Sequence, residues 1–325
     1  MARRRRSRLP LLAAALVILG ALAWLAGGWY SAGPLEKQLE FDVREGRGLT
    51  ALADDLEAEG AIGSASLFKL RARLLGGGTD IKAGAFLLPK AASEATILEI
   101  LKGDKVVRRL VTIPEGMPSI MVAERLRAID GLTGDLTVPE EGAILPNSYD
   151  WQKGESRAAV AKRMQAAMEK TLAELWAKRS PRSVVKTPQE ALILASIVEK
   201  ETGKPEERRM VAGLYSNRVR KGMLLQADPT IIYPITKGKP LGRRIRQSEI
   251  QAVNGYNTYT MVGLPKGPIT NPGRDSIAAV LDPAETEALF MVADGTGGHV
   301  FADSLEQHNV NVAKWFALRK ARGDM

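Results

Sequence analysis

No cysteine occurs among the 325 residues. That excludes a disulfide framework, a thiol nucleophile, cysteine-ligated zinc and a lipoprotein-type anchor. Histidine is almost as scarce. His299 and His308 are the only two, too few for a typical metal cluster, and the sequence calls for no cofactor and no metal. His299, within Gly297-Gly298-His299-Val300-Phe301, reads as a structural or substrate-rim residue first and a proton shuttle second. Basic runs interleaved with aromatics are also missing, so nucleic acid is not an expected partner.

Charge is absent over one long stretch. Leu9 to Tyr30 carries none across 22 residues, enough to span a bilayer core of about 30 Å at about 1.5 Å per residue. Five arginines fill the first eight positions, and Trp24, Trp29 and Tyr30 stand at the far end, as an aromatic belt would. A cleavable signal peptide is the competing reading. The run is long for one, and Ala21-Leu22-Ala23 is a poor cleavage site. A retained single-pass anchor is therefore expected, with the N-terminus in the cytoplasm and Ser31 onward outside. The formal charge is +9, and +4 without those arginines. A mild positive balance suits an anionic polymer or a membrane surface.

About 295 residues follow the anchor, suggesting two or more units. Strand-like Phe41–Val43 leads into a helix over Leu49–Leu56, a second over Ser64–Leu75, a Gly76-Gly77-Gly78 break, a strand over Gly84–Leu88 and a helix near Ser93–Leu101. A faint repeat places Glu45-Gly46 and Glu115-Gly116 each before an amphipathic helix, the second after a β-type run from Val106 to Ile113. Arg157 to Lys178 reads as a charged helix whose Val160, Met164, Met168 and Leu172 or Leu175 form a core stripe. Strands cluster near 41–45, 84–88, 106–113 and 289–301, so the class is α+β. Tyr149 and Trp151, in an apolar-aromatic turn, read first as core.

The most informative segment is Thr187 to Gly203. Thr187 with Glu190 makes a capping box and Pro188 takes the first helical position. Gly203 and Pro205 mark the stop. At about 100° per residue, Glu201 projects with Ala191, Leu194, Ile197 and Val198, while Glu199 points roughly 140–160° away. A carboxyl on an apolar face is desolvated and its pKa rises, which a general acid needs. A solvated glutamate paired with Lys200, Arg208 or Arg209 is the plainer alternative. Asp228 is another candidate acid, although Asp228-Pro229-Thr230 reads more readily as a turn or cap.

Downstream, amide, hydroxyl and aromatic side chains gather on turn-rich segments, equipment suited to gripping a sugar. Ala195-Ser196-Ile197-Val198-Glu199-Lys200-Glu201-Thr202, Asn217-Arg218, Gln226-x-Asp228-Pro229-Thr230, Tyr256-Asn257-Thr258-Tyr259, Gly263-Leu264-Pro265 and Ala293-Asp294-Gly295 together resemble the YceG-like family of endolytic murein transglycosylases. The resemblance is close over 187–316 and covers the rest in layout. It implies cleavage of nascent peptidoglycan strands between N-acetylmuramic acid and N-acetylglucosamine, leaving 1,6-anhydro-muramoyl ends. One glutamate would protonate the glycosidic oxygen and then deprotonate the muramoyl 6-hydroxyl, so no second carboxylate is required. Glu199 and Glu201 both lie in the motif. The apolar phase favours Glu201, as does the Glu201-Thr202 pair, which looks like the Glu-Ser pair of other lytic transglycosylases. Thr202, Asn217, Gln226, Asp228, Asn257 and Tyr259 are the expected substrate contacts.

With the tail (1–8) and transmembrane helix (9–30) already read from charge, the resemblance adds a LysM-like β-α-α-β module (31–105), for which a structural stalk is the alternative, and a YceG-type catalytic domain (106–325). An inner-membrane enzyme with a periplasmic catalytic domain, working beside peptidoglycan synthases, is the expectation. Two readings rival it. One is a hydrolytic muramidase using a second carboxylate such as Asp228. The other is a non-catalytic peptidoglycan-binding adapter.

Overall fold

The structure, a computed structural model, describes residues 9–44, 46–78, 80–104 and 107–323. The basic tail 1–8, Glu45 of the first Glu-Gly turn, Val106 of the β run and the expected boundary at 105–106 lie outside the described residues. The chain divides into two units, one ending at Arg109 and the other beginning at Leu110.

The first unit opens with α1 (Leu9–Tyr30), an uncharged helix with mean hydropathy 2.0 over Leu12–Tyr30. Leu12, Leu16, Val17, Ile18, Leu19 and Leu22 are all exposed, an arrangement stable only where the surroundings are themselves apolar. The far end differs. Trp29 is buried and its ring lies 6.1 Å from that of Phe68. Next come β1 (Leu39–Val43), α2 (Leu49–Ala58), α3 (Ala65–Leu75), β2 (Gly84–Leu88) and α4 (Glu94–Lys102).

Strands β1 and β2 pair antiparallel with Phe41 opposite Phe86. Their inner face packs on Leu52, Leu56, Phe68, Ile97, Leu98 and Leu101. The expected β-α-α-β order is thus present, closed by α4. Ser64 and Ser93 cap α3 and α4 by accepting the N–H groups of Leu67 and Thr96, as N-cap hydroxyls do. One ion pair is buried here: Arg71 Nη1 lies 2.9 Å from Glu94 Oε1. The Arg71 guanidinium also stacks over Trp24 at 5.3 Å.

The second unit begins within β3 (Arg109–Ile113), which pairs with β4 (Asn147–Trp151), with α5 (Ser119–Arg127) between them in the chain. Gly46 before α2 and Gly116 before α5 share a left-handed turn, φ +78° and +71°, so the faint repeat corresponds to two strand–turn–helix units. On α6 (Arg157–Trp176), Val160, Met164 and Met168 are buried, while Leu172 and Leu175 are partly so. Tyr149 and Trp151 pack against the core of Val111, Ile113, Val122, Leu126 and Ile144. The Tyr149 hydroxyl donates to the Leu145 carbonyl at 2.6 Å.

Behind this subdomain lie α7 (Pro188–Glu201), a short 3-10 turn (Pro205–Glu207), α8 (Arg208–Arg220), α9 (Pro229–Thr236), α10 (Gln247–Ile250) and α11 (Arg274–Leu281). The hairpin β5 (Phe290–Ala293) with β6 (His299–Ala302) and the long α12 (Leu305–Arg322) complete the unit.

Asn271 stitches its parts together. Its buried amide donates to the Met117 carbonyl and the Ser119 hydroxyl, and its carbonyl accepts the Ile144 N–H. Asn271→Ala strands these groups and is expected to cost about 1–3 kcal/mol, read as a fall in thermal midpoint with α7 intact by circular dichroism.

Candidate active site

Helix α7 starts as its sequence dictates. The Thr187 hydroxyl accepts the Glu190 N–H at 3.1 Å, and the Glu190 carboxylate reaches back to the Lys186 N–H. Ala191 through Val198 are all buried, so the helix is fixed by packing on every side. Its last two carboxylates then part company. Glu199 turns to Gly273, whose N–H it accepts at 2.9 Å, and to Arg208 at 3.9 Å. Glu201 points instead into a pocket of about 250 Å³ lined in part by Tyr215, Arg218, Gln226, Asp228, Tyr259 and His299.

The environment of Glu201 resists ionisation of its carboxyl. Its Oε1 is fully buried and has no hydrogen-bond partner. Burial pushes the carboxyl up to about 7 and the nearby Asp228 charge adds to this, while the Tyr215 hydroxyl and Arg218 oppose it. Tyr215 is itself buried, and burial with the Glu201 charge raises its phenol well above the ordinary value. Arg218 offers only a distant counter-charge. Its guanidinium is held by the carbonyls of Leu289 at 2.7 Å, Leu225 at 2.7 Å and Leu224 at 3.3 Å.

Four of the seven residues expected at the site therefore meet: Glu201, Gln226, Asp228 and Tyr259. Asp228 precedes α9 and accepts the Tyr259 hydroxyl at 2.5 Å. Gln226 is exposed and holds a left-handed backbone, φ +52°, a conformation a non-glycine residue adopts only when the surrounding chain compels it.

The other three have different partners. The Thr202 hydroxyl donates to Glu207 Oε2 at 3.0 Å. Asn217 donates to the carbonyls of Thr286 and Ala288, pinning α8 to the segment before β5. Asn257 is buried and donates to the carbonyls of Ile250 and Ala252, while its own carbonyl accepts the Tyr259 N–H. None of the three lines the pocket.

Sequence reasoning gave no role to Tyr215 and Arg218. Both fall on one face of α8 at a spacing of three, and a tyrosine and an arginine on the face that carries Leu214 were the available signal. His299 was placed only at a rim. Its ring Nδ1 lies 2.8 Å from Glu207 Oε2, and its N–H donates to Glu207 Oε1 at 2.8 Å. Among the described residues, no group of three or more histidines and carboxylates is arranged to hold a metal.

The YceG-like family model matches residues 41–314. An endolytic murein transglycosylase of Streptococcus pneumoniae is 28% identical over 328 residues, covering 86% of this chain and 58% of the relative. The chain thus spans little more than half the length of that protein. A second, from Bacillus subtilis, is 25% identical over 330 residues and covers 89% of both chains. A crystal structure of a YceG-like protein from Listeria monocytogenes superposes with a TM-score of 0.54 at 24% identity, covering 84% of this chain and 98% of that one. That likeness is one of fold.

Proposed function

The chain belongs to the YceG-like family, and from that premise we propose that it is an endolytic murein transglycosylase with Glu201 as its acid and base. The observation that carries the reading is the carboxyl of Glu201 facing a polar pocket, with its buried Oε1 left without a hydrogen-bond partner. Burying such a group is costly unless it stays protonated. A protonated carboxyl can deliver its proton to the glycosidic oxygen between N-acetylmuramic acid and N-acetylglucosamine. The resulting carboxylate then takes the proton of the muramoyl 6-hydroxyl as that oxygen closes onto the anomeric carbon. Glu201 is left protonated, and the strand ends in a 1,6-anhydro-muramoyl residue.

Gln226, Asp228 and Tyr259 contact the sugars in this reading. Thr202, Asn217 and Asn257 hold the walls. Helix α1 anchors the protein in the inner membrane with its N-terminus in the cytoplasm, placing the rest in the periplasm near nascent strands and their synthases. The β-α-α-β module of the first unit is a LysM-like glycan-binding element.

The test is incubation of the full chain, in detergent, with uncrosslinked glycan strands and mass analysis of the products. Anhydro ends support the reading. Asp228 shares the pocket, so ends heavier by one water would instead mark a muramidase. No cleavage, with binding retained, would leave an adapter.

Because the acid must be protonated, kcat/KM is expected to fall about tenfold per pH unit once the pH passes about 7. The sign for stability is the same. Glu201 costs the fold nothing below its ordinary value of 4.5. The fold loses stability progressively as pH rises from 4.5 to about 7, up to about 3 kcal/mol, and the loss levels off above that. Thermal denaturation of wild type and Glu201→Gln at pH 5 and pH 8 checks this, the gap being wider at the higher pH.

A further inference from the structure

The pair formed by Glu207 and His299 is built with unusual completeness for a surface turn. Glu207 sits in the 3-10 turn directly after α7 and His299 opens β6, 92 residues later. Both carboxylate oxygens are used: Oε1 accepts the His299 N–H, and Oε2 meets the imidazole Nδ1 and the Thr202 hydroxyl. These bonds outweigh burial and hold Glu207 below the ordinary carboxylate range. Gly298 is part of the construction, since a Cβ there would stand 2.3 Å from Glu207 Oε1. Asp294 accepts the N–H groups of Thr296 and Gly298 and so shapes the turn that delivers the histidine.

A purely structural histidine would have no reason to line the Glu201 pocket, yet His299 does. Its Nδ1 is taken by Glu207, and Nε2 has no protein partner among the described residues. We propose that Glu207 fixes the His299 tautomer with the proton on Nδ1, so that Nε2 accepts a hydrogen bond from a hydroxyl of the sugar bound against Glu201. An ionised carboxylate accepts only, and therefore demands a donor at Nδ1. The neutral imidazole then has its lone pair at Nε2. His299 is thus a substrate-contacting residue and Glu207 a positioning residue. The inference rests on the transglycosylase reading, since it requires a sugar in that pocket.

Protonation of the imidazole converts Nε2 from acceptor to donor and removes the contact. The groups facing it are Glu207 from the 3-10 turn, Lys204 and Asp294 beside Gly298, and Glu201, Asp228, Arg218, Tyr215 and Tyr259 around the pocket. Arg322 of α12 reaches the same turn through the Gly295 carbonyl. His299→Gln should lose 10- to 100-fold in kcat/KM at pH 7. Glu207→Gln, which can offer Nδ1 a donor and so force the proton to Nε2, should lose as much although the imidazole remains.

The chain has only two histidines, so nitrogen-15 NMR reads the tautomer directly, with His308→Gln to assign the signals. The Nδ1–H form is expected in wild type and the Nε2–H form in Glu207→Gln. In Glu201→Gln, added uncrosslinked glycan strands should move the His299 Nε2 resonance, whether or not any strand is cut. An Nε2–H tautomer in wild type, an unmoved resonance, or a His299→Gln enzyme with wild-type rate would each overturn the proposal. Failure of wild type to yield anhydro ends would instead count against the transglycosylase reading, while the resonance shift would still decide whether His299 meets a sugar.

Discussion

Glu201→Gln is expected to lower the release of anhydro-ended fragments by at least about 10³-fold, in a protein that folds and still binds strands. A positioned acid or base contributes about 10²–10⁴, and in the proposed mechanism one group serves both steps. Glutamine keeps the shape but neither gives nor takes the proton. The same substitution makes the protein more stable above pH 7, because a carboxyl with a buried, unpartnered oxygen no longer ionises there. Opposite signs for activity and stability at one position separate a working acid from a structural one. A substitution that left turnover within tenfold of wild type would transfer the role elsewhere. Glu199, bound to the Gly273 N–H, would be a poor heir, and Asp228 the nearer candidate.

Arg71→Met is expected to destabilise the first unit by about 3–5 kcal/mol, the range for breaking a buried pair from one side. Arg71 and Glu94 side chains are 8% and 11% exposed, and Glu94 Oε2 already lacks a partner. Burial raises the Glu94 carboxyl even with Arg71 beside it, so without the guanidinium it protonates and remains a buried polar group. Replacing both residues, as Arg71→Met with Glu94→Leu, should recover most of the loss, since an apolar pair of similar volume has no charge to desolvate. Hydrogen exchange of the α3 and α4 amides measures both effects locally. Equal destabilisation by single and double variants would show that packing, not charge, dominates the site.

Local chemistry explains what the sequence disclosed. Helix α7 was legible because its cap, its proline and its apolar phase all point the same way, and the helix does run from Pro188 to Glu201. The separate directions of Glu199 and Glu201 follow from helical geometry alone. The β-α-α-β order and the core stripe of α6 were likewise matters of period and punctuation. The fates of Asn217 and Asn257 were not. An amide has the same donors and acceptor whether it grips a sugar or a backbone carbonyl, and only the path of the segments near 250 and 286 decides. Thr202 was attached by adjacency to Glu201, yet its hydroxyl turns to Glu207. The Glu207–His299 bond joins residues that no local pattern connects.

The last turn of α1 is both the end of an exposed apolar helix and a plug in the core beside Phe68. A cut just after Trp29 would leave the rest of the first unit with an open hole where the indole had been, and loss of so large a side chain is among the costliest of core deletions. Under the proposed anchoring, one turn of helix would both end the membrane segment and complete the core of the first unit.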